Sequence, residues 1–208
     1  METSTRTLLQ IAGAPLHPSP LKRSALLLID PQLEYMTGVV PLKGIDAAVE
    51  EAARLLDLAR AQRVPVFHIV HHGRPGAAAF NPQGPHVAII PALAPQGDEA
   101  VIIKSLPNAF AGTDLHRLIQ ETGRKELIIA GFATHMCISA TTRAALDLGY
   151  RSTVVSNATA TRDLPHPSGR GVTPAEVVHE GTLAALADRF AVIVPDAATL
   201  AATARLTG

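Results

Sequence analysis

The sequence predicts an α/β domain: a mainly parallel sheet of six strands covered on both faces by helices. Two observations carry that expectation. Six short apolar runs recur along the chain, and most are separated by stretches with helical periodicity. The runs are apolar throughout and do not alternate, as strands buried on both faces do.

The elements follow in order. Residues 1–21 are Pro-rich and read as an extended N-terminal arm, laid over the surface or over a neighbouring subunit. Ala25 to Ile29 is the first strand, broken by Asp30-Pro31. Asp46 to Arg63 places Val49, Ala52, Leu55, Leu56 and Ala59 on one face, an amphipathic helix. Val66 to Val70 is the second strand. A Gly- and Pro-rich stretch, His71 to Asp98, reads as a long irregular loop, and such loops are usually functional. Ala100 to Ile103 is the third strand, ending at Lys104. A helix from Asp114 to Thr122 is stopped by Gly123.

Leu127 to Ala130 forms the fourth strand. A helix from Met136 to Leu148 ends at Gly149, a favoured C-terminal stop. Ser152 to Val155 is the fifth strand, followed by a second irregular segment, Asn157 to Thr173. Pro174 opens a helix reaching Arg189, consistent with the preference of proline for a first helical position. Ala191 to Val194 is the sixth strand, and a short helix is expected after Asp196. No repeat or second domain is visible, so residues 1–208 read as a single domain.

Composition narrows the function. Eighteen Lys and Arg balance eighteen Asp and Glu. No run of basic residues offers a footprint for nucleic acid or an acidic membrane. Hydrophobic residues make up 47% of the chain, which excludes a disordered protein. The apolar runs are too short to span a bilayer. The single cysteine cannot form an internal disulfide, so the expected compartment is the cytoplasm. No Gly-x-Gly-x-x-Gly, phosphate-binding loop or Gly-x-Ser-x-Gly elbow occurs. The partner left is a small-molecule substrate.

In an open parallel sheet, ligands bind beyond the C-terminal ends of the strands. Asp30 ends the first strand, Lys104 the third, and Cys137 follows the fourth at the start of a helix. A helix N-terminus and an ammonium both favour a thiolate, which would react rapidly with iodoacetamide at neutral pH, whereas an inert, buried thiol would favour a structural role. A carboxylate could take the thiol proton and pass it to a leaving amine. Backbone N–H groups between Gly131 and Cys137 could bind an oxyanion. Acyl transfer through a thioester is the reaction class this trio suits. Each residue alone also has an ordinary reading: a packed thiol, a turn aspartate, a solvated lysine.

The segments ALLLIDPQLEYMTG, VIIKSLPNAFAGTDL and IIAGFATHMCISATTRAALDLGY resemble, in order and spacing, the signature segments of the isochorismatase-like cysteine hydrolases. That superfamily includes nicotinamidases, N-carbamoylsarcosine amidohydrolases, ureidoacrylate-type amidohydrolases and isochorismatases. The resemblance runs from Lys22 to Pro195. It implies a Rossmann-like three-layer α/β/α sandwich with catalytic Asp30, Lys104 and Cys137. It also implies a cis peptide between Phe132 and Ala133, with the Ala133 and Cys137 N–H groups forming the oxyanion site. Gln32 holds the family position after the aspartate and is expected to line the pocket. Homo-oligomers are common in the family and are expected here.

The chain departs from the nicotinamidase pattern. No Asp-x-His occurs between the first helix and Lys104, so neither a metal nor any other cofactor is expected. His68 reads as a packed core histidine. His71 and His72 are candidates for the pocket mouth, and His135 for the pocket edge, with surface roles as the alternative. Tyr35 and Phe110 are candidate apolar walls of the substrate pocket, while Phe80 reads as ordinary packing. Retention of Cys137 favours hydrolysis of a C–N bond, amide or ureido. The alternatives are a vinyl-ether hydrolase of the isochorismatase kind and a non-catalytic binding or assembly protein on the same fold.

Overall fold

The computed structural model of the chain describes residues 5–206. Six strands form one parallel sheet: β1 (Ser24–Ile29), β2 (Val66–His71), β3 (Ala100–Lys104), β4 (Glu126–Phe132), β5 (Arg151–Ala160) and β8 (Ala191–Val194). Their order across the sheet is β3-β2-β1-β4-β5-β8. Every neighbouring pair is parallel. Helices α2 (Ile45–Ala61) and α6 (Ala197–Leu206) cover one face. Helices α3 (Leu115–Glu121), α4 (Ser139–Asp147) and α5 (Ala175–Arg189) cover the other. The architecture is the three-layer α/β/α sandwich the sequence predicts.

Two apolar cores flank the sheet because successive strand residues point to opposite faces. Leu26 and Leu28 of β1 pack towards α2, where Ala52, Leu55, Leu56 and Ala59 meet them. Ala25, Leu27 and Ile29 pack towards the α3–α4 layer with Leu115, Ile119 and Ile138. Leu27, Leu28, Leu56, Leu115 and Ile119 have no exposed surface. Each such side chain contributes about 1.5–3 kcal/mol of burial.

β1 lies between β2 and β4, and the chain reverses its direction of travel across the sheet there. The crevice at such a switch point is where this class of sheet binds ligands. Gly131 makes the crevice possible. It pairs with Ile29 at the end of β1 and sits where β4 shifts register against β5. Its φ is 112°, and a Cβ there would lie 2.0 Å from the Ile29 carbonyl oxygen.

Several expectations need correction. The N-terminal arm is not simply extended. It carries a one-turn helix, α1 (Leu8–Ile11), closed by a capping box between Thr7 and Gln10. The Leu8 N–H donates to Asp188 of α5, so the arm lies on its own chain. Residues 1–4 of the arm fall outside the described residues. The helix expected from Met136 begins instead as a π turn over Thr134–Ile138, with α4 following. β5 extends to Ala160 beyond its expected end, because Ala158 and Ala160 are buried against the α2 core. The rest of that irregular segment holds a small antiparallel pair, β6 (Leu164–Pro165) and β7 (Val172–Thr173).

The long loop after β2 is tied down at both ends. At its far end the Glu99 carboxylate accepts from Arg60 and meets His68 Nε2, each at 2.8 Å. Leu93 is fully buried within it. Among the described residues no helix is long and apolar enough to cross a membrane.

Substituting Gly131→Ala tests the β1–β4 approach. The added Cβ meets backbone that cannot turn aside and demands a φ that alanine avoids. Urea denaturation is expected to show a loss of about 3 kcal/mol or more, above the usual overpacking range of about 1–3 kcal/mol.

Candidate active site

Three strand ends and one turn converge beside the switch point. Asp30 follows β1 with φ at 48°, a left-handed conformation that aspartate tolerates better than most residues. That turn leaves its carboxylate fully buried. Lys104 ends β3 and folds its whole side chain inward, with none of it exposed. Cys137 lies in the π turn after β4 and is 5% exposed. The structure therefore brings together Asp30, Lys104 and Cys137.

The Lys104 ammonium is the hub. Its Nζ lies 2.9 Å from Asp30 Oδ2, 3.3 Å from Cys137 Sγ and 3.3 Å from His71 Nδ1. An ammonium has three protons and no acceptor, so all three donors are assigned. The third partner requires His71 to be neutral at Nδ1. Burial and the Lys104 charge push His71 down to about 4, so it is neutral at physiological pH. Asp30 Oδ1 is buried and lacks a well-aligned hydrogen bond among the described residues.

The thiol does not behave as the sequence suggests. Burial, then the Asp30 charge, push the Cys137 thiol up to about 12, against the lowering pull of Lys104. Burial also raises the Asp30 carboxyl, with the Lys104 charge and hydrogen bonds from Cys137 and Lys104 opposing. The thiol therefore holds its proton at neutral pH; slow alkylation by iodoacetamide is expected, which by itself would also suit a structural cysteine. Desolvation, which a sequence does not display, is the largest influence on the thiol.

The peptide joining Phe132 to Ala133 is cis. Ala133 is buried, and its backbone N–H acts to lower the nearby Tyr35 hydroxyl. Tyr35 is buried too; burial and the charges of Asp30 and Cys137 push its hydroxyl well up. Its ring meets Phe132 edge-on at 6.0 Å and Phe80 at 5.2 Å. Phe80 also meets His71 edge-on at 5.0 Å. Phe80 packs against the α2-side core, as the sequence reading has it, and in doing so rests on two residues that flank the site.

Two expected pocket residues lie elsewhere in function. Gln32 is fully buried and spends its amide on backbone. Its Nε2 donates to the His71 and Val87 carbonyls, and its Oε1 accepts from the His71 N–H. It ties β2 and the long loop to the end of β1 instead of facing a substrate. Phe110 stacks on Tyr150 at 6.0 Å, and Tyr150 precedes the N-terminal end of β5. Its nearness to Lys104 in sequence is undone by the loop between them, and it is no wall of this site.

His135 is half-buried and hydrogen-bonds Thr161 at the end of β5. Burial, then the Arg162 charge, lower it. Arg162 and Glu34 are the residues sequence reasoning missed. The buried Glu34 carboxylate accepts from the N–H groups of Val39 and Phe80, fixing Phe80 beside Tyr35. Arg162 follows β5 and acts electrostatically on both Tyr35 and His135. Arg162 carries no signal in the sequence, because β5 reaches Ala160 only in the structure. Among the described residues no group of three His, Cys, Asp or Glu side chains is placed to hold a metal ion.

Replacing Asp30 by Asn separates the two charges around the sulfur. With Lys104 unopposed, the thiol midpoint should fall from about 12 by about one to three pH units. Thiolate absorbance against pH checks this without interference, because Cys137 is the only cysteine.

The family model described as the isochorismatase domain matches residues 24–198. An uncharacterised isochorismatase family protein of Bacillus subtilis, YddQ, is 40% identical over 172 residues, spanning 82% of this chain and 94% of its own. A maleamate amidohydrolase of Pseudomonas putida is 34% identical over 150 residues, spanning 64% of this chain and 70% of its own. The crystal structure of an isochorismatase from Pseudomonas putida superposes with a TM-score of 0.88 at 43% identity, covering 93% of this chain and 98% of that one. With this sheet order, this trio of strand-end side chains and these relatives, the chain belongs to the isochorismatase family of hydrolases.

Proposed function

We propose that this hydrolase cleaves the C–N bond of a small amide or ureido compound through a thioester on Cys137. One observation carries the reading: a single buried ammonium touches both the carboxylate of Asp30 and the sulfur of Cys137. Such an arrangement suits a proton shuttle beside a nucleophile.

The steps follow from the geometry. Asp30 accepts the thiol proton as Sγ attacks the substrate carbonyl carbon, so a free thiolate need not accumulate. The carbonyl oxygen becomes an oxyanion, for which the Ala133 and Cys137 N–H groups are the assigned donors. The tetrahedral species collapses, the C–N bond breaks, and Asp30 returns its proton to the leaving nitrogen. Water then attacks the thioester carbon while Asp30 takes one of its protons. Collapse releases the carboxylic acid, and the sulfur regains the proton from Asp30. Lys104 holds both partners throughout and offsets the negative charge.

Arg162 supports a finer reading, that the substrate carries a carboxylate. It is half-buried just beyond β5, near enough to Tyr35 and His135 to act on both, and no carboxylate pairs with it among the described residues. Its one recorded hydrogen bond is a long one, 3.4 Å to the Asp163 carbonyl. A guanidinium beside residues that flank the site, with its donors largely unspent, fits a bidentate carboxylate. Kinship with a maleamate amidohydrolase supports an amide bond as the target.

A screen of small amides and ureides for released ammonia, run with and without a carboxylate on otherwise matched compounds, tests both levels. Cys137→Ala should fold normally and lose turnover entirely; turnover unchanged in that variant would reject the thioester. Arg162→Gln should raise KM for carboxylated substrates by about tenfold to a hundredfold, the worth of a charged hydrogen bond, with little change in kcat. Equal KM values in the two proteins would reject the carboxylate.

A further inference from the structure

The turn that carries Cys137 is wound in an unusual way. The Ala133 carbonyl accepts from the Met136 N–H at 3.0 Å and from the Ile138 N–H at 3.3 Å, passing over the Cys137 N–H between them. An α-helical turn would spend the Cys137 N–H on that same carbonyl. The π winding over Thr134–Ile138 keeps it out of that bond. Such winding is rare, so contacts from outside the turn must favour it.

Two such contacts exist, and each joins a threonine to a histidine. Thr134 Oγ1, on the first residue of the turn, lies 2.9 Å from His179 Nδ1 on α5. The next residue is tied in the opposite sense, with His135 Nδ1 on the turn and Thr161 Oγ1 just beyond β5. Thr134 stands directly between the two assigned oxyanion donors. Ala133 immediately precedes it, and Cys137 follows three residues later.

The chemistry of the first contact fixes its direction. Thr134 is fully buried, and His179 is its side chain's one hydrogen-bond partner among the described residues. A buried hydroxyl proton needs an acceptor, so Thr134 donates and His179 Nδ1 accepts. That requires a neutral ring with its proton on Nε2. Burial lowers His179, with Glu180 opposing, which keeps the ring neutral at neutral pH. α5 is a firm post for this acceptor. The Ala175 N–H at its start donates to Asp163 at 2.9 Å, and Leu186 further along is fully buried. A threonine at a helix start ordinarily caps its own turn, yet this turn has no side-chain cap. The hydroxyl is spent on another helix instead.

We propose that His179 is a positioning residue for the hydrolysis: through Thr134 it holds the turn in its π winding and so keeps the Cys137 N–H available to an oxyanion. The inference rests on the oxyanion role given to that N–H under the proposed function. His179 acts only through Thr134.

Kinetics on an amide found by the ammonia screen, together with one variant structure, test this. His179→Phe and Thr134→Val should each lower kcat by about ten- to a hundredfold, at or below the lower end of the cost of a lost oxyanion donor, with KM nearly unchanged. The double variant should lose no more than either single one, because both remove the same bond. Thr134→Ser keeps the hydroxyl and His179→Asn offers an amide oxygen near the Nδ1 position, so each should retain most of the turnover. The crystal structure of Thr134→Val, which keeps the side-chain shape, should show the Cys137 N–H within hydrogen-bond distance of the Ala133 carbonyl. The proposal is overturned if Thr134→Val keeps its kcat, if the loss falls on KM instead, if the two single losses multiply in the double variant, or if the π winding persists in the Thr134→Val structure. That structure needs no substrate, so it decides the role of His179 even where no amide is hydrolysed. Turnover retained by Cys137→Ala would reject the thioester alone and leave the comparison among these variants intact.

Discussion

The structure is organised around a carboxylate and an ammonium placed together where no water reaches them. Asp30 and the Lys104 side chain have no exposed surface, and burying two such charges is expensive unless each finds its partners. Lys104 finds three. Those partners come from β1, from β2 and from the turn after β4, so the ammonium can be satisfied only if three strand ends stand in register. Loss of one partner would leave a charge uncompensated in a dry site. The fold and the site are therefore coupled through one side chain on an edge strand.

Much of the nearby polar structure serves that register. Gln32 has both ends of its amide bonded to backbone, locking the end of β2, where His71 resides, to the end of β1. Glu34 holds the Phe80 N–H and so places an aromatic ring against Tyr35 and His71. Gly131 lets β4 close on β1 at the point where any side chain would strike the Ile29 carbonyl. These residues touch no reacting atom; each holds backbone or a ring that borders the site. Buried, fully bonded polar groups of this kind give rigidity, which a site built on distances near 3 Å requires.

The strands were legible in the sequence because their apolar runs are short, continuous and bounded by Asp-Pro, Gly or Pro. The switch-point rule then placed Asp30, Lys104 and Cys137 at one edge without any contact information. What the sequence hid is of two physical kinds. Directions of side chains were hidden: Gln32 faces backbone, and Phe110 stacks at the far end of the sheet although it is six residues from Lys104 in the chain. Environment was hidden too: the same thiol reads as activated from its helix-start position and as a protonated group once burial and Asp30 are counted. Arg162 and Glu34 carried no pattern, since their meaning lies in what does or does not lie beside them.

A thiol held near 12 is consistent with the proposed chemistry, and the reason lies in the carboxylate that raises it. Removing Asp30 from consideration would leave Lys104 free to stabilise a thiolate, which is a better nucleophile but a persistent anion open to alkylation and oxidation. Under the proposed mechanism, with Asp30 in place the proton would move only when a carbonyl carbon is available to take the electron pair. Negative charge then passes from carboxylate to substrate oxygen while the ammonium remains between them. The total charge of the buried cluster is the same before attack and in the tetrahedral species, so the dry interior is never asked to hold an additional ion. The leaving nitrogen departs with the proton that the thiol gave up, and it leaves Asp30 ionised again for water.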